Sequence, residues 1–285
     1  MLMYPHSNSA IPDGGNLPMS VTLNHRITGE GAPLIMLHGL FGSLENLGGI
    51  ARKLQGDWQI HALDQRNHGS SPHTDSMDYP SMAADVVAYM DQQGIDTACI
   101  LGHSMGGKVA MQVALQAPER IEKLIVADIS PVAYKAGHDA ILEGLTQLDL
   151  TNVRSRGDAG KQLAEFVEMA STRQFLLMNL ERIPKQEQSA GGPVYRWRLN
   201  LKAIESCYSN LAGAPTADAP YDGPVLFLKG ADSAYIQDKH KDEIYRLFPH
   251  AQLSIIEGTG HWLHAEKTDI FVGLCRQFLE EHGAD

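Results

Sequence analysis

The chain has 285 residues, 23 of them Lys or Arg against 34 Asp or Glu, for a formal net charge of -11. That balance argues against a polyanion such as nucleic acid as the main partner, because phosphate binding needs a basic face. A hydrophobic content of 43% is ample for a large core, and the length suits one α/β domain or one domain carrying an insertion.

Residues 1–20, rich in Pro, Gly, Ser and Asn, read as a loose arm without the basic and apolar segments of a signal peptide. Nothing in the chain is apolar over the length a membrane span needs, so no membrane partner is expected. Cys99, Cys207 and Cys275 are far apart and odd in number. They form no disulfide framework and no metal-ligand spacing, so a reducing cytoplasm and no metal are expected. Cys99 lies in an apolar run and reads as a small core residue.

Short apolar runs then alternate with helical patterns, which predicts a mostly parallel sheet flanked by helices. Pro33 to His38, Trp58 to Asp64, Thr97 to Gly102 and Leu124 to Ala127 read as strands. Leu44, Leu47, Ala51 and Leu54 recur at helical spacing, Ser81 to Gln93 form a helix closed by Gly94, and Lys108 to Gln116 form another. After Asp128 the rhythm breaks. From Pro131 to Asp222 the text is polar, helical in pieces and without strand runs. Strands resume at Pro224 to Lys229 and Leu253 to Ile256, and a last amphipathic helix carries Ile270, Phe271, Leu274, Phe278 and Leu279. The expected architecture is a core over 21–130 and 223–285, with a helical lid over 131–222 inserted after the sixth strand.

Gly102-His103-Ser104-Met105-Gly106 joins a strand to a helix, the context of a G-x-S-x-G nucleophile elbow. A sharp turn there holds the serine in strained backbone, and the flanking glycines let neighbouring backbone crowd in. Ser104 is the candidate nucleophile. Its base is expected after the last strand, where His261 stands in Gly258-Thr259-Gly260-His261-Trp262; His264 is the next candidate, and His103 packs or bonds locally. The oxyanion hole needs two backbone N–H groups. Met105 supplies one and the loop His38 to Ser43 the other, with Leu40 ahead of Phe41 as donor. Asp64 and Arg66, in the loop Asp64 to Ser71, are expected to pair and brace the oxyanion side. Phe41 and Trp197 are candidate pocket residues, although the alternation Arg196-Trp197-Arg198 equally describes a half-buried edge.

At HGLFGS, DQRNHGSSP, GHSMGGK, DISPV and GHWLHAEK, in that order, the chain resembles the lidded α/β-hydrolases and, within them, the YbfF-type esterases. The resemblance runs from about Val21 to the last helix and is loosest over the lid. It implies hydrolysis of small acyl esters, extending to acyl-CoA thioesters, in a cytoplasmic enzyme needing no metal or cofactor. It also bears on the triad acid. Many α/β-hydrolases carry it after a strand as G-x-x-Asp, where this chain has Gly230-Ala231-Asp232-Ser233, with serine in the acid's place. The resemblance implies Asp128, from the preceding strand end, as the acid and Ser233 as a helper, with Asp232 the alternative. Serine perhydrolase or haloperoxidase-like chemistry and C–C bond hydrolysis use the same triad and stay open at this point. So does a hydrolase-fold protein that binds a ligand without turnover.

Overall fold

The computed structural model describes residues 20–135 and 137–281. The arm expected over 1–20 therefore lies outside the described residues but for Ser20.

The apolar runs form the sheet. Its strands are β1 (His25–Thr28), β2 (Ala32–Leu37), β3 (Trp58–Leu63), β4 (Ala98–His103) and β5 (Ile121–Ala127), then β8 (Val225–Gly230) and β9 (Ala251–Ile256) after the insertion. The insertion holds a separate ribbon of β6 (Leu180–Arg182) and β7 (Tyr195–Trp197). The seven-stranded sheet runs in the order β1-β3-β2-β4-β5-β8-β9. Only β1 is antiparallel to its neighbour; every other pair is parallel.

A parallel sheet must be covered on both faces, and its strands accordingly read as continuous apolar runs. In β2, alternate residues enter opposite cores: Ile35 and Leu37 join one, Leu34 and Met36 the other. Each such side chain contributes roughly 1.5–3 kcal/mol on burial. The first core is closed by α2 (Tyr79–Gln93), α3 (Met105–Gln116) and α9 (Lys241–Leu247). The second is closed by α1 (Gly48–Leu54) and α11 (Thr268–Glu280). In α2, the Asp78 side chain accepts the Ser81 N–H at the start, and Gly94 ends the helix in left-handed backbone. In α11, Ile270 is exposed, while Val272 and Cys275 fill the buried stripe. Cys99 is buried as expected, and burial pushes its thiol up to about 12.

The insertion contains α4 (Asp139–Gln147), α5 (Arg156–Leu163), α6 (Ala170–Leu177), α7 (Leu201–Ser206) and α8 (Tyr208–Ala212), while α10 (Leu263–Glu266) follows β9. Two expectations need correction. Five strands, not six, precede the insertion among the described residues, because one short strand alone, β1, lies ahead of β2. The insertion is also not wholly helical. The β6–β7 ribbon is too short, three residues a side, to leave a strand-like run in the sequence.

The two ends of the insertion are tied together above α3. Tyr134 N–H donates to Ala212 O at 2.8 Å. The Gln112 side chain accepts the Thr216 N–H and donates to the Thr216 carbonyl. Lys108 Nζ donates to Val132 O at one end and to Gly213 O at the other. Lys108 is almost fully buried, and desolvation lowers its ammonium to about 7.

Candidate active site

The chain leaves β2 toward β3 on one side and β4 toward β5 on the other, so the carboxyl ends of β2 and β4 flank a crevice. Open α/β sheets bind ligands at such a switch point. The predicted residues gather there. Ser104 follows β4, Asp128 follows β5, Ser233 follows β8, and His261 follows β9.

Ser104 turns the chain from β4 into α3 with φ 54° and ψ -121°. Backbone this far from the allowed regions costs on the order of 1–3 kcal/mol and persists only where its surroundings hold it. The flanking glycines are what allow it. A Cβ on Gly102 would lie 2.1 Å from Gly106 O, and one on Gly106 would lie 2.3 Å from Leu37 O. The Ser104 amide is fixed by a bond to Ala127 O.

The three polar side chains are in line. Ser104 Oγ lies 2.9 Å from His261 Nε2, and His261 Nδ1 lies 2.8 Å from Asp128 Oδ2. The carboxylate needs a donor at Nδ1, so the neutral ring carries its proton there and Nε2 is left to accept the serine hydroxyl. Asp128 is fully buried, also at positive φ (52°), and accepts Gly230 N–H and Ser233 Oγ–H as well as His261. Asp232 is exposed and reaches neither His261 nor Ser104; among the described residues only its backbone N–H is engaged, with Thr259 O.

His264 does not compete for Ser104. Its ring packs 4.3 Å from that of His103, and burial lowers its pKa to about 4. His103 in turn bonds the His261 carbonyl at 2.8 Å, holding the histidine loop from beneath. Burial first, then the neighbouring imidazoles His264 and His261, push His103 well below its ordinary value.

On the oxyanion side the structure separates Leu40 from Phe41. The Phe41 N–H is already donated to His68 Nε2 at 3.2 Å. The N–H groups of Leu40 and Met105 make no hydrogen bond among the described residues. Met105 heads α3, where first-turn amides have no intrahelical partner and the helix dipole favours negative charge.

The loop Asp64 to Ser71 braces this side, though not through the expected pair. Asp64 accepts Leu44 N–H, Asn24 Nδ2–H and Ser70 N–H, while Arg66 pairs with Asp85 at 2.6 Å, both fully buried. Asp64 and Arg66 are separated because Asp64 turns toward the oxyanion loop and Arg66 toward α2.

A cavity of about 780 Å³ opens over Ser104. Phe41, Tyr235, Trp262 and, from the insertion, His138, Ile141, Phe175 and Leu176 line it. Phe41 is thus in the cavity wall. Trp197 is not, and the expectation is corrected. It stands in β7 with Tyr195 on the face packed against the core, while Arg196 between them pairs outward with Glu181 and Glu187. Period-two alternation, the half-buried edge, accounts for it. Tyr235 escaped the sequence reading although its ring lies 4.2 Å from that of His261. Nothing local marks it. A cavity of about 460 Å³ between α9 and β9 holds none of Ser104, Asp128 or His261. Among the described residues no group of acidic, His and Cys side chains is placed to hold a metal ion, and no helix is long and apolar enough to cross a membrane.

The α/β-hydrolase fold family model matches residues 32–268. The chain is 43% identical over 258 residues to a Xenopus laevis protein named sn-1-specific diacylglycerol lipase ABHD11, covering 88% of this chain and 80% of that one. It is 37% identical over 251 residues to esterase YbfF of Escherichia coli (strain K12), covering 88% of this chain and 94% of that one. A solved structure described as a marine microorganism esterase superposes with a TM-score of 0.86 at 40% identity, covering 91% of this chain and all of that one.

Proposed function

The chain belongs to the α/β-hydrolase fold family and is a hydrolase, and from that premise we propose that it cleaves carboxylic esters through an acyl-enzyme on Ser104. The observation that carries this reading is the continuous chain from Ser104 Oγ through His261 to the buried Asp128. His261 Nε2 takes the hydroxyl proton as Ser104 Oγ attacks the acyl carbon. The Asp128 carboxylate keeps the ring in the accepting tautomer and stabilises the imidazolium that forms. The oxyanion points at the free amides of Leu40 and Met105, each such donor contributing about 2.7–4 kcal/mol to the transition state. The imidazolium then gives its proton to the leaving alcohol oxygen. Water enters, loses a proton to His261 and attacks the acyl carbon, releasing the acid and restoring Ser104.

Ser233 fits the role of helper, its hydroxyl directed at the Asp128 oxygen that also faces His261. The lid-covered cavity, largely apolar, favours small esters with a hydrophobic part. The same steps cleave an acyl-CoA thioester, the imidazolium proton passing to the departing sulfur so that a thiol leaves in place of the alcohol. The three buried free cysteines support a cytoplasmic setting.

The test is Ser104→Ala against a panel of p-nitrophenyl esters and acyl-CoA thioesters, with fluorophosphonate labelling of the wild type. Turnover should fall by about a thousandfold or more with the fold intact by circular dichroism, and the label should map to Ser104. Retention of more than about a tenth of the activity, or no label on folded wild type, overturns the assignment.

A further inference from the structure

The space over Ser104 has two parts of very different size. The large chamber, about 780 Å³, contains His261 and Trp262. A recess of about 70 Å³ lies behind Met105 and is lined by Tyr79, Lys108, Tyr134, Tyr208 and Leu211. Both include Ser104, Leu40, His138 and Tyr235 in their walls. His261 borders only the large chamber and Met105 only the recess.

The chemistry of the acyl transfer assigns the two parts. The leaving oxygen must receive its proton from His261 Nε2, so the alcohol lies on the His261 side. The carbonyl oxygen turns to the Leu40 and Met105 amides. The acyl substituent takes the remaining direction from the tetrahedral carbon, away from His261 and past Met105. A volume of about 70 Å³ matches roughly two water molecules at about 30 Å³ each, the room taken by a hydrocarbon chain of about two or three carbons.

Most polar side chains around the recess are already engaged; Lys135, exposed at its wall, is an exception among the described residues. Lys108 Nζ donates to the carbonyls of Val132 and Gly213, Tyr79 Oη to Leu211 O, and Tyr134 Oη to Tyr235 O. Tyr208 Oη meets His138 Nδ1 at 2.6 Å. Unbranched acyl chains fit such a lining, and the bonded groups offer no donor to a further polar group on the acyl part, leaving the exposed Lys135 as a side chain able to meet one.

We propose that the recess is the acyl subsite and the large chamber the alcohol subsite, so that the preferred substrates join a short unbranched acyl group, acetyl to butanoyl, to a bulky apolar alcohol. This rests on Ser104 and His261 being nucleophile and base.

Two constitutional isomers test it: octyl acetate and ethyl octanoate have the same atoms and the same ester, with the long chain on opposite sides. The wild-type kcat/KM should be at least about tenfold higher for octyl acetate. Equal values, or a preference for ethyl octanoate, overturn the partition while leaving ester hydrolysis standing. Hydrolysis of neither isomer by folded enzyme removes both the partition and the function beneath it. Leu211→Ala, which enlarges the recess, should narrow the gap by raising the ratio of kcat/KM for ethyl octanoate to that for octyl acetate. A folded Leu211→Ala enzyme with the wild-type ratio counts against the recess as acyl subsite. The isomer comparison on wild type stands whether or not that variant folds.

Discussion

The N–H of Phe41 is donated to His68 Nε2 at 3.2 Å, which leaves the amide of Leu40 as the one free to face a developing oxyanion. His68 can accept because it is neutral: burial, chiefly, holds it down to about 3, and its Nδ1–H is directed at Arg66 O at 3.0 Å. Asn179 from the lid grips the same residue from the other side, donating to Phe41 O at 2.6 Å. Phe41 sits at φ 59°, a conformation that this pair of bonds stabilises.

Replacing His68 by Phe keeps a ring in place and removes the acceptor. The oxyanion loop should shift by a fraction of an ångström, and kcat should fall by about tenfold to a hundredfold while KM changes little. Steady-state kinetics on one short-chain ester measures both. A fall in kcat/KM carried wholly by KM would mean that the loop shapes the pocket without fixing the donor.

The two aspartates separate cleanly by position. Asp128 is fully buried with three donors on its carboxylate, Asp232 exposed with none. Asp128→Asn should therefore lower kcat by about ten-thousandfold, since the amide no longer enforces the accepting tautomer of His261. Asp232→Asn should change transition-state stabilisation by under ~1 kcal/mol. Kinetics of both variants, with circular dichroism to check folding, decides. A severe loss at Asp232 with a mild one at Asp128 reverses the assignment.

These positions differ in how far the sequence alone could expose them. Ser104 was legible because all its requirements are local: an apolar run, two glycines and a helix within a few residues. Asp128 needed the resemblance, because its role depends on Gly230 and Ser233 arriving from a strand a hundred residues away. β1 was missed because its four residues are mostly exposed and carry no apolar run. Arg66 was paired with the wrong aspartate for the same kind of reason: Asp85 lies on α2, and only the tertiary packing brings it within 2.6 Å.

Trp197, a candidate pocket residue from the sequence, and Phe175, which the sequence did not single out, stand in different places. Trp197 packs on the core from the β7 ribbon, whereas Phe175 lines the cavity with its ring 6.0 Å from Trp262. Trp197→Ala should destabilise the fold by about 1–3 kcal/mol, less than a fully buried Trp because it is half-exposed, with the ester profile unchanged. Phe175→Ala should alter relative kcat/KM values across the panel with a smaller loss of stability. Urea denaturation and the ester panel on both variants test this. A changed profile for Trp197→Ala alone would return that residue to the pocket.

Lys108 ties stability to pH through the neck of the lid. Its ammonium loses more by burial than the carbonyls of Val132 and Gly213 return, so the folded chain releases the proton near pH 7, against 10.5 for the ordinary side chain. Between those values the unfolded chain binds one more proton than the folded chain at this site, and stability therefore rises with pH. Below that window both states are protonated and the burial cost stands in full. A neutral amine still has two N–H bonds, enough for both carbonyls, so deprotonation need not open the neck. Lys108→Met removes the titration and leaves a chain of similar shape. The stability of wild type relative to this variant should accordingly grow between about pH 6.5 and about pH 9.5, at a limiting slope of about 1.4 kcal/mol per pH unit. Every other titrating group is common to the two proteins and cancels in the difference. Urea unfolding of both across that range measures it. A difference that stays flat with pH would mean that Lys108 keeps its proton in the folded state and anchors the lid as a cation throughout.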